Sequence, residues 1–194
     1  MKRLWWVVLV MMVGCAGYKK AIQEGKEIQA KGKVTSTYDE FTRSSVVSYE
    51  ASAKIHSEMS DQKRMRLNLP LSFAFTLRAF KGSPDSTSSL TLSSYGSHDW
   101  RYLKCHDLVL LVDGASIPLQ TEHDGSVGSV AGEVSISEVV STKIDLPTLL
   151  VMAHAKELRG RLCADEFSLM PAQIATLQEY ITQAGLTQPP ASLP

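Results

Sequence analysis

Apolar and polar side chains alternate through the middle of this chain. Every odd-numbered position is apolar from Val47 to Ile55 and again from Met65 to Leu77. A period of two is typical of strands that bury one face. Pro70 interrupts the second run and predicts a break, a bulge or a sheet edge, because proline donates no hydrogen bond to a ladder.

Shorter strand-like runs follow, separated by turn residues. They cover residues 89–95, 108–112 and 115–119, and another begins at Val134. Asp113-Gly114 lies between two apolar runs and predicts a tight hairpin. Six or seven short strands with local turns favour an antiparallel sheet over a parallel one. The predicted fold class is therefore mainly β (α+β), an antiparallel β-sandwich or barrel-like domain.

One or two helices are predicted near the C-terminus of this domain. Asp145 is a suitable N-cap for the first, and Pro147 lies in its first turn. Pro171 begins the second helix and Gly185 ends it. Residues 156–169, between the two helices, are predicted to be extended. The apolar stripe of the second helix consists of Ile174, Leu177, Ile181 and Ala184.

The N-terminus has a different pattern. Lys2 and Arg3 precede an apolar run that ends at Cys15, and from Leu4 to Ala16 it is 13 residues long. A helix that spans a bilayer needs about 20 apolar residues, so a permanent membrane span is not predicted. Two positive charges before a short apolar run have the form of a secretory signal peptide.

The run ends in Met12-Val13-Gly14-Cys15, which resembles the lipobox of bacterial lipoproteins, with Met12 where leucine is usual. The resemblance implies that Cys15 receives diacylglycerol and that the chain is cut before it. In that family an Asp after the cysteine favours the inner membrane. Ala16 stands there instead, which implies the outer membrane, facing the periplasm. The alternatives are ordinary secretion with cleavage near Gly17 and an uncleaved anchor.

This interpretation divides the chain into four parts. Residues 1–14 are the signal peptide, and residues 15–44 are a lipid-anchored tether, because they are charged and contain few large apolar groups. Residues 45–186 form the β-rich domain with its C-terminal helices. Residues 187–194, which are rich in proline, are predicted to be a disordered tail.

Charge and cysteine content narrow the possible functions. The chain has 20 basic and 20 acidic residues, whereas a nucleic-acid binder has a basic excess. Three cysteines are too few for a disulfide scaffold. With Cys15 assigned to the anchor, Cys105 and Cys163 are either a disulfide, which the envelope permits, or two separately buried thiols.

The search for catalytic chemistry yields few candidates. The H-E-x-x-H, G-x-x-x-x-G-K-[ST] and G-x-S-x-G motifs do not occur. Histidine followed by aspartate can ligate zinc or form a base with its orienting acid, but neighbours in a strand point to opposite faces. Trp100 and Tyr102 are predicted either to line a ligand groove or to belong to the core. Arg159 and Arg161 are predicted either to contact an anion or to face only solvent. The His-Asp pairs are His98-Asp99, His106-Asp107 and His123-Asp124.

These features predict a membrane-anchored envelope lipoprotein that acts as a non-catalytic binding or scaffold module, such as an accessory subunit of an envelope assembly. The alternatives are a periplasmic carrier of a small apolar ligand and a divergent hydrolase or metalloenzyme. No cofactor is predicted. The expected partners are the membrane, through the lipid anchor, and an envelope protein, but not nucleic acid. A weak similarity to uncharacterised bacterial envelope proteins, around Trp100-Arg101-Tyr102-Leu103, implies no activity.

Overall fold

Ten antiparallel strands form one curled sheet in the described part of the chain. The computed structural model describes residues 21–41, 43–56, 60–66, 71–81, 87–97, 99–130 and 132–186. The strands are β1 (Lys33–Asp39), β2 (Ser44–His56), β3 (Ser72–Phe80), β4 (Ser88–Ser97), β5 (Leu108–Val112), β6 (Ala115–Leu119), β7 (Glu122–Val130), β8 (Glu133–Ile144), β9 (Leu158–Leu162) and β10 (Asp165–Leu169).

The strand order is β6-β5-β9-β10-β2-β3-β4-β8-β7, and β1 pairs with β2 beside this path. Each of these pairings is antiparallel. Two strands pair with the same edge of β2: β1 pairs with residues 44–50 and β10 with residues 54–56. The sheet curls into a half-barrel, which confirms the predicted fold class of a mainly β, barrel-like domain with C-terminal helices.

In the described ranges, four helices accompany the sheet: α1 (residues 21–31), α2 (Asp61–Arg66), α3 (Leu146–His154) and α4 (Pro171–Ala184). Helices α3 and α4 contribute apolar side chains to the core on the inner face of the sheet. The Tyr49 hydroxyl donates to the Gln173 carbonyl at 2.9 Å, and the Tyr180 hydroxyl donates to Ser88 Oγ at 3.0 Å. Burial raises the pKa of Tyr180 to about 12, against the opposing effect of Ser88.

Local signals predicted several of these elements correctly. Asp145 caps α3, because its Oδ1 accepts from the Thr148 amide at 3.0 Å; the Thr148 side chain and then this amide lower the pKa of Asp145. Gly185 ends α4 with a φ of 68°. Asp113 and Gly114 have φ values of 48° and 87° and join β5 to β6, so the predicted hairpin is confirmed.

Two predictions about segments were wrong. The alternating pattern predicts an extended segment from Met65 to Leu77 with a break, a bulge or an edge at Pro70, but Met65 and Arg66 belong to helix α2, and β3 begins only at Ser72. In α2 the side chain of Arg64 is buried and that of Met65 is exposed. The helix therefore turns the apolar Met65 toward solvent, where a strand pattern would have placed it in the core. Pro70 lies outside the described residues.

The predicted tether of residues 15–44 is also too long. Residues 33–39 form β1 and pair with β2 over seven positions, so the sheet begins at Lys33. None of the β1 side chains is fully buried, and the strand therefore lacks the alternation that would reveal it. The signal peptide, Cys15 and the tail of residues 187–194 lie outside the described residues. No helix in the described ranges is long and apolar enough to cross a membrane.

Candidate functional site

A disulfide fixes the loop between β4 and β5. Cys105 pairs with Cys163, and their Cα atoms are 5.9 Å apart, so the disulfide is the alternative found of the two that the sequence left open. Cys163 lies in the turn between β9 and β10 rather than in a strand, and its amide donates to the Asp107 carbonyl at 3.0 Å. We call residues 99–107 the cystine loop. The disulfide and the backbone bond attach its C-terminal end to the β9–β10 turn.

A buried carboxylate holds the other end of the cystine loop. The Glu138 side chain is fully buried on the inner face of β8. Its Oε2 accepts from the Arg101 amide and its Oε1 from the Tyr102 amide, both at 2.8 Å. His123 Nε2 lies 3.2 Å from the same Oε1. Glu138 therefore satisfies two successive backbone donors that the loop would otherwise bury unpaired.

A second carboxylate, that of Asp165, binds the side chains of the same two loop residues. Arg101 Nη2 lies 2.6 Å from Asp165 Oδ2, and the Tyr102 hydroxyl donates to this oxygen at 2.8 Å. Arg64 Nη2 lies 3.6 Å from Oδ1. Burial and then the Asp165 charge raise the pKa of Tyr102 above its ordinary range. Burial alone would lower the pKa of Arg101, but the contacts with Asp165 and Tyr102 together outweigh it and the pKa is raised.

The histidines beside this network do not pair with the aspartates that follow them. The rings of His106 and His123 are stacked with centroids 6.1 Å apart, and the acid near His123 is Glu138. Asp124 Oδ1 instead accepts from the Gly125 amide at 2.7 Å. His98 lies outside the described residues. Among those described, no three His, Cys, Asp or Glu side chains are placed to hold a metal ion.

Trp100 and Tyr102 do not line one groove. The segment is a series of bends rather than a strand, so the two side chains are not held on one face. Tyr102 is buried, with its ring centroid 5.7 Å from that of Phe73, whereas Trp100 is 39% exposed. The Trp100 ring covers Gly125 so closely that a side chain at this glycine would clash with it. The interior position of Tyr102 supports the core alternative for that residue.

Arg159 and Arg161 lie on the outer face of β9, beside a shallow cleft of about 230 Å³. Arg159 Nε lies 3.2 Å from Glu157 Oε1, and both side chains are largely exposed, so this ion pair contributes little to stability. A larger open cleft of about 630 Å³, with a mixed polar and apolar lining, lies between the β6–β7 link and strands β4 and β8. An apolar carrier would use the inner face of the sheet, which α3 and α4 cover.

No protein-family model matches the sequence, and searches of the curated proteins and of the solved structures return no match.

Three exposed aromatic side chains lie at one end of the sheet, with Tyr38 and Phe80 on its opposite faces. We call them the aromatic tip: Tyr38 is 60% exposed, Phe41 is 100% exposed and Phe80 is 60% exposed. Tyr38 is the cross-strand partner of Ser45, and Phe80 is that of Val46. The tip therefore spans the ends of three adjacent strands, β1, β2 and β3.

The backbone orders this tip. The Phe41 amide donates to Asp39 Oδ1 at 2.8 Å, and Arg43 adopts a φ of 52° in the same turn. The Lys81 amide donates to the Ser45 carbonyl at 2.8 Å and continues the pairing beyond β3. Two acids, Asp39 and Glu40, and two bases, Arg43 and Lys81, flank the aromatics, so these four charges cancel.

The aromatic tip and the cystine loop lie at opposite ends of the sheet. Strand β3 ends at Phe80, and its antiparallel neighbour β4 ends at Ser97, shortly before the loop. Sequence reasoning missed the tip because it placed Tyr38 and Phe41 in the tether. The available signal was the presence of two aromatic residues around Asp39-Glu40 in an otherwise polar segment. Three exposed aromatic side chains at one end of a sheet are a candidate interaction surface.

Proposed function

We propose that this protein is a lipid-anchored component of the bacterial envelope whose domain is a non-catalytic binding module for a partner protein. The single observation that carries the binding role is the aromatic tip. Phe41 is fully exposed, and Tyr38 and Phe80 are exposed near the ends of the two strands that pair with β2, on opposite faces of the sheet. Aromatic side chains are enriched in the buried centres of protein interfaces, where they contribute most of the binding energy.

The order of the tip favours a specific contact. The Asp39–Phe41 hydrogen bond and the paired strands hold the backbone that carries Tyr38 and Phe41, and such preorganisation lowers the conformational entropy lost on association. The balanced charge around the aromatics favours a largely apolar docking surface over a strongly charged one. A partner with an apolar recess rimmed by polar groups fits these features.

The membrane anchor is supported by the N-terminal sequence. Lys2 and Arg3, the short apolar run and Cys15 follow the order of a lipoprotein signal, as described above. The Cys105–Cys163 disulfide is compatible with an oxidising compartment such as the periplasm. We propose attachment to the outer membrane, with the domain in the periplasm, because Ala16 follows the cysteine.

Envelope crosslinking followed by affinity purification tests the binding role. Phe41→Ala and the triple variant Tyr38→Ala/Phe41→Ala/Phe80→Ala are compared with the wild-type chain. Truncating an aromatic anchor at an interface removes about 2 kcal/mol or more, so we expect the yield of the specific partner to fall at least tenfold in the triple variant. Leu103→Ala is the matched control, because Leu103 is also exposed but lies in the cystine loop at the other end.

The folded state of each variant is checked by thermal melting, which we expect to be unchanged because the three aromatics are mostly exposed. Equal partner yields from the wild type and a folded triple variant would show that the aromatic tip is not the binding surface. A wild-type chain that enriches no protein above the level of an anchored control would contradict the binding role itself.

A further inference from the structure

Strand β7 lies at an edge of the sheet. In the described ranges it pairs with β8 alone, from Glu122 to Val130, and no other described strand lies beside it. Residues 124–129 are exposed to solvent. Successive residues of a paired strand direct their backbone groups to alternate sides, so the amides and carbonyls that point away from β8 are available to a further strand.

The sequence of β7 lacks the features by which edge strands avoid further pairing. Proline, charged side chains and short length protect such edges. Residues 125–130 read Gly-Ser-Val-Gly-Ser-Val, without proline or charge, in a strand of nine residues. At other edges of the sheet, β6 has five residues and contains Pro118, whereas β1 carries Lys33 and Asp39 and packs against α4. Strand β7 is therefore the edge best suited to receive a partner strand.

Strand β7 is complementary to a second copy of itself. In an antiparallel pairing about Val127, this valine faces the valine of the other copy, residue 126 faces residue 128, and residue 125 faces residue 129. Ser126 thus lies opposite Gly128, and Gly125 lies opposite Ser129. Each serine meets a glycine, and the central pair is β-branched, a residue type that strands favour.

The acidic residues of β7 stay apart in this pairing. Asp124 faces residue 130, and Glu122 lies beyond the overlap of residues 124–130, so no two like charges are opposite each other. A pairing about Asp124 would instead bring two carboxylates face to face, which is destabilising. The charges therefore favour a register centred in the uncharged part of the strand, where Val127 is 61% exposed.

We infer that two copies of this chain associate by antiparallel pairing of β7 with β7 about Val127. A two-fold axis through this residue makes the contact isologous, so both copies use the same seven residues and the assembly closes as a dimer. Main-chain hydrogen bonds across the new ladder supply the affinity, as in other cases of strand addition. The contact is separate from the aromatic tip, which lies on β1 to β3, and does not depend on the function proposed for it.

Cysteine crosslinking in cells tests the register. The full chain is expressed with two different tags, and disulfide-linked dimers are detected on non-reducing gels after mild oxidation. Val127→Cys should link the two tags, because directly opposite residues have Cα atoms about 5 Å apart, within the range of a disulfide. Ser126→Cys alone should not, since its two copies are diagonal neighbours about 7–8 Å apart. Ser126→Cys in one tagged chain and Gly128→Cys in the other should link.

A charge variant measures the contribution of the contact. Val127→Lys places two ammonium groups opposite each other, so we expect the dissociation constant of the dimer to rise at least about tenfold. It is measured by sedimentation of the detergent-solubilised full chain. Ser116→Lys, at an exposed residue of the edge strand β6, is the matched control and should leave the constant unchanged. Circular dichroism shows whether each variant is folded.

Three results would overturn the inference. The first is a wild-type chain that sediments as a monomer, and the second is a folded Val127→Lys variant that dimerises as tightly as the wild type. The third is a crosslinking pattern that does not follow the register, either because Ser126→Cys alone links as well as Val127→Cys or because Val127→Cys links only to a different protein.

Discussion

Glu138 shows how one buried side chain determines the shape of a loop. Its two carboxylate oxygens accept from the successive amides of Arg101 and Tyr102, and His123 approaches one of them. The sequence gives no local reason to single out this glutamate, because its partners are more than 30 residues away or on the next strand. Its role depends on the register that places it opposite Gly125, whose missing side chain admits the Trp100 ring.

Glu138→Gln is expected to destabilise the domain by about 2 kcal/mol. The amide keeps one acceptor oxygen, while its NH₂ group faces a backbone donor that then remains buried and unpaired. The midpoint of urea unfolding should fall, and the amides of Arg101 and Tyr102 should exchange faster with solvent. The matched control is Glu122→Gln, at an exposed glutamate on β7. Equal midpoints for the two variants would contradict the role assigned to Glu138.

At the scale of elements, the sequence correctly predicted the turns, caps and helix limits that neighbouring residues determine. The Asp113-Gly114 turn, the Asp145 cap and the Pro171–Gly185 limits of α4 each depend on neighbouring residues. Strand β1 depends on backbone pairing with β2, which leaves no apolar alternation, and α2 has only six residues, too few to establish a helical period. For this reason the aromatic tip, which depends on β1, was not predictable from the pattern.

The disulfide is the covalent link between two elements that are distant in sequence. Cys105 and Cys163 are 58 residues apart, and a closed loop of this length contributes about 4 kcal/mol by restricting the unfolded chain. Cys105→Ser/Cys163→Ser should lose about this much stability in urea unfolding and become insensitive to reducing agents. The wild type under reducing conditions should match the double variant. A wild type whose stability does not change on reduction would contradict this contribution.

At the scale of the whole molecule, the curled sheet separates two surfaces. The aromatic tip lies where β1, β2 and β3 meet solvent, and the cystine loop lies beyond the opposite end of β4. The cystine loop has a structural role, since a disulfide and two carboxylates attach it to the rest of the domain. The tip is ordered by backbone bonds but exposes its aromatics. The proposed division of roles follows: the loop stabilises the domain and the tip binds.

The membrane anchor is the claim on which the proposed location depends, and replacing Cys15 tests it most directly. Cells expressing the wild-type chain or Cys15→Ser are labelled with a radioactive fatty acid and fractionated. We predict a labelled, processed wild-type protein in the membrane fraction, and a Cys15→Ser protein without label or lipoprotein processing. The Cys105→Ser/Cys163→Ser variant, which keeps Cys15, should remain labelled. Label, processing and membrane association that are all unchanged in Cys15→Ser would contradict the lipid anchor.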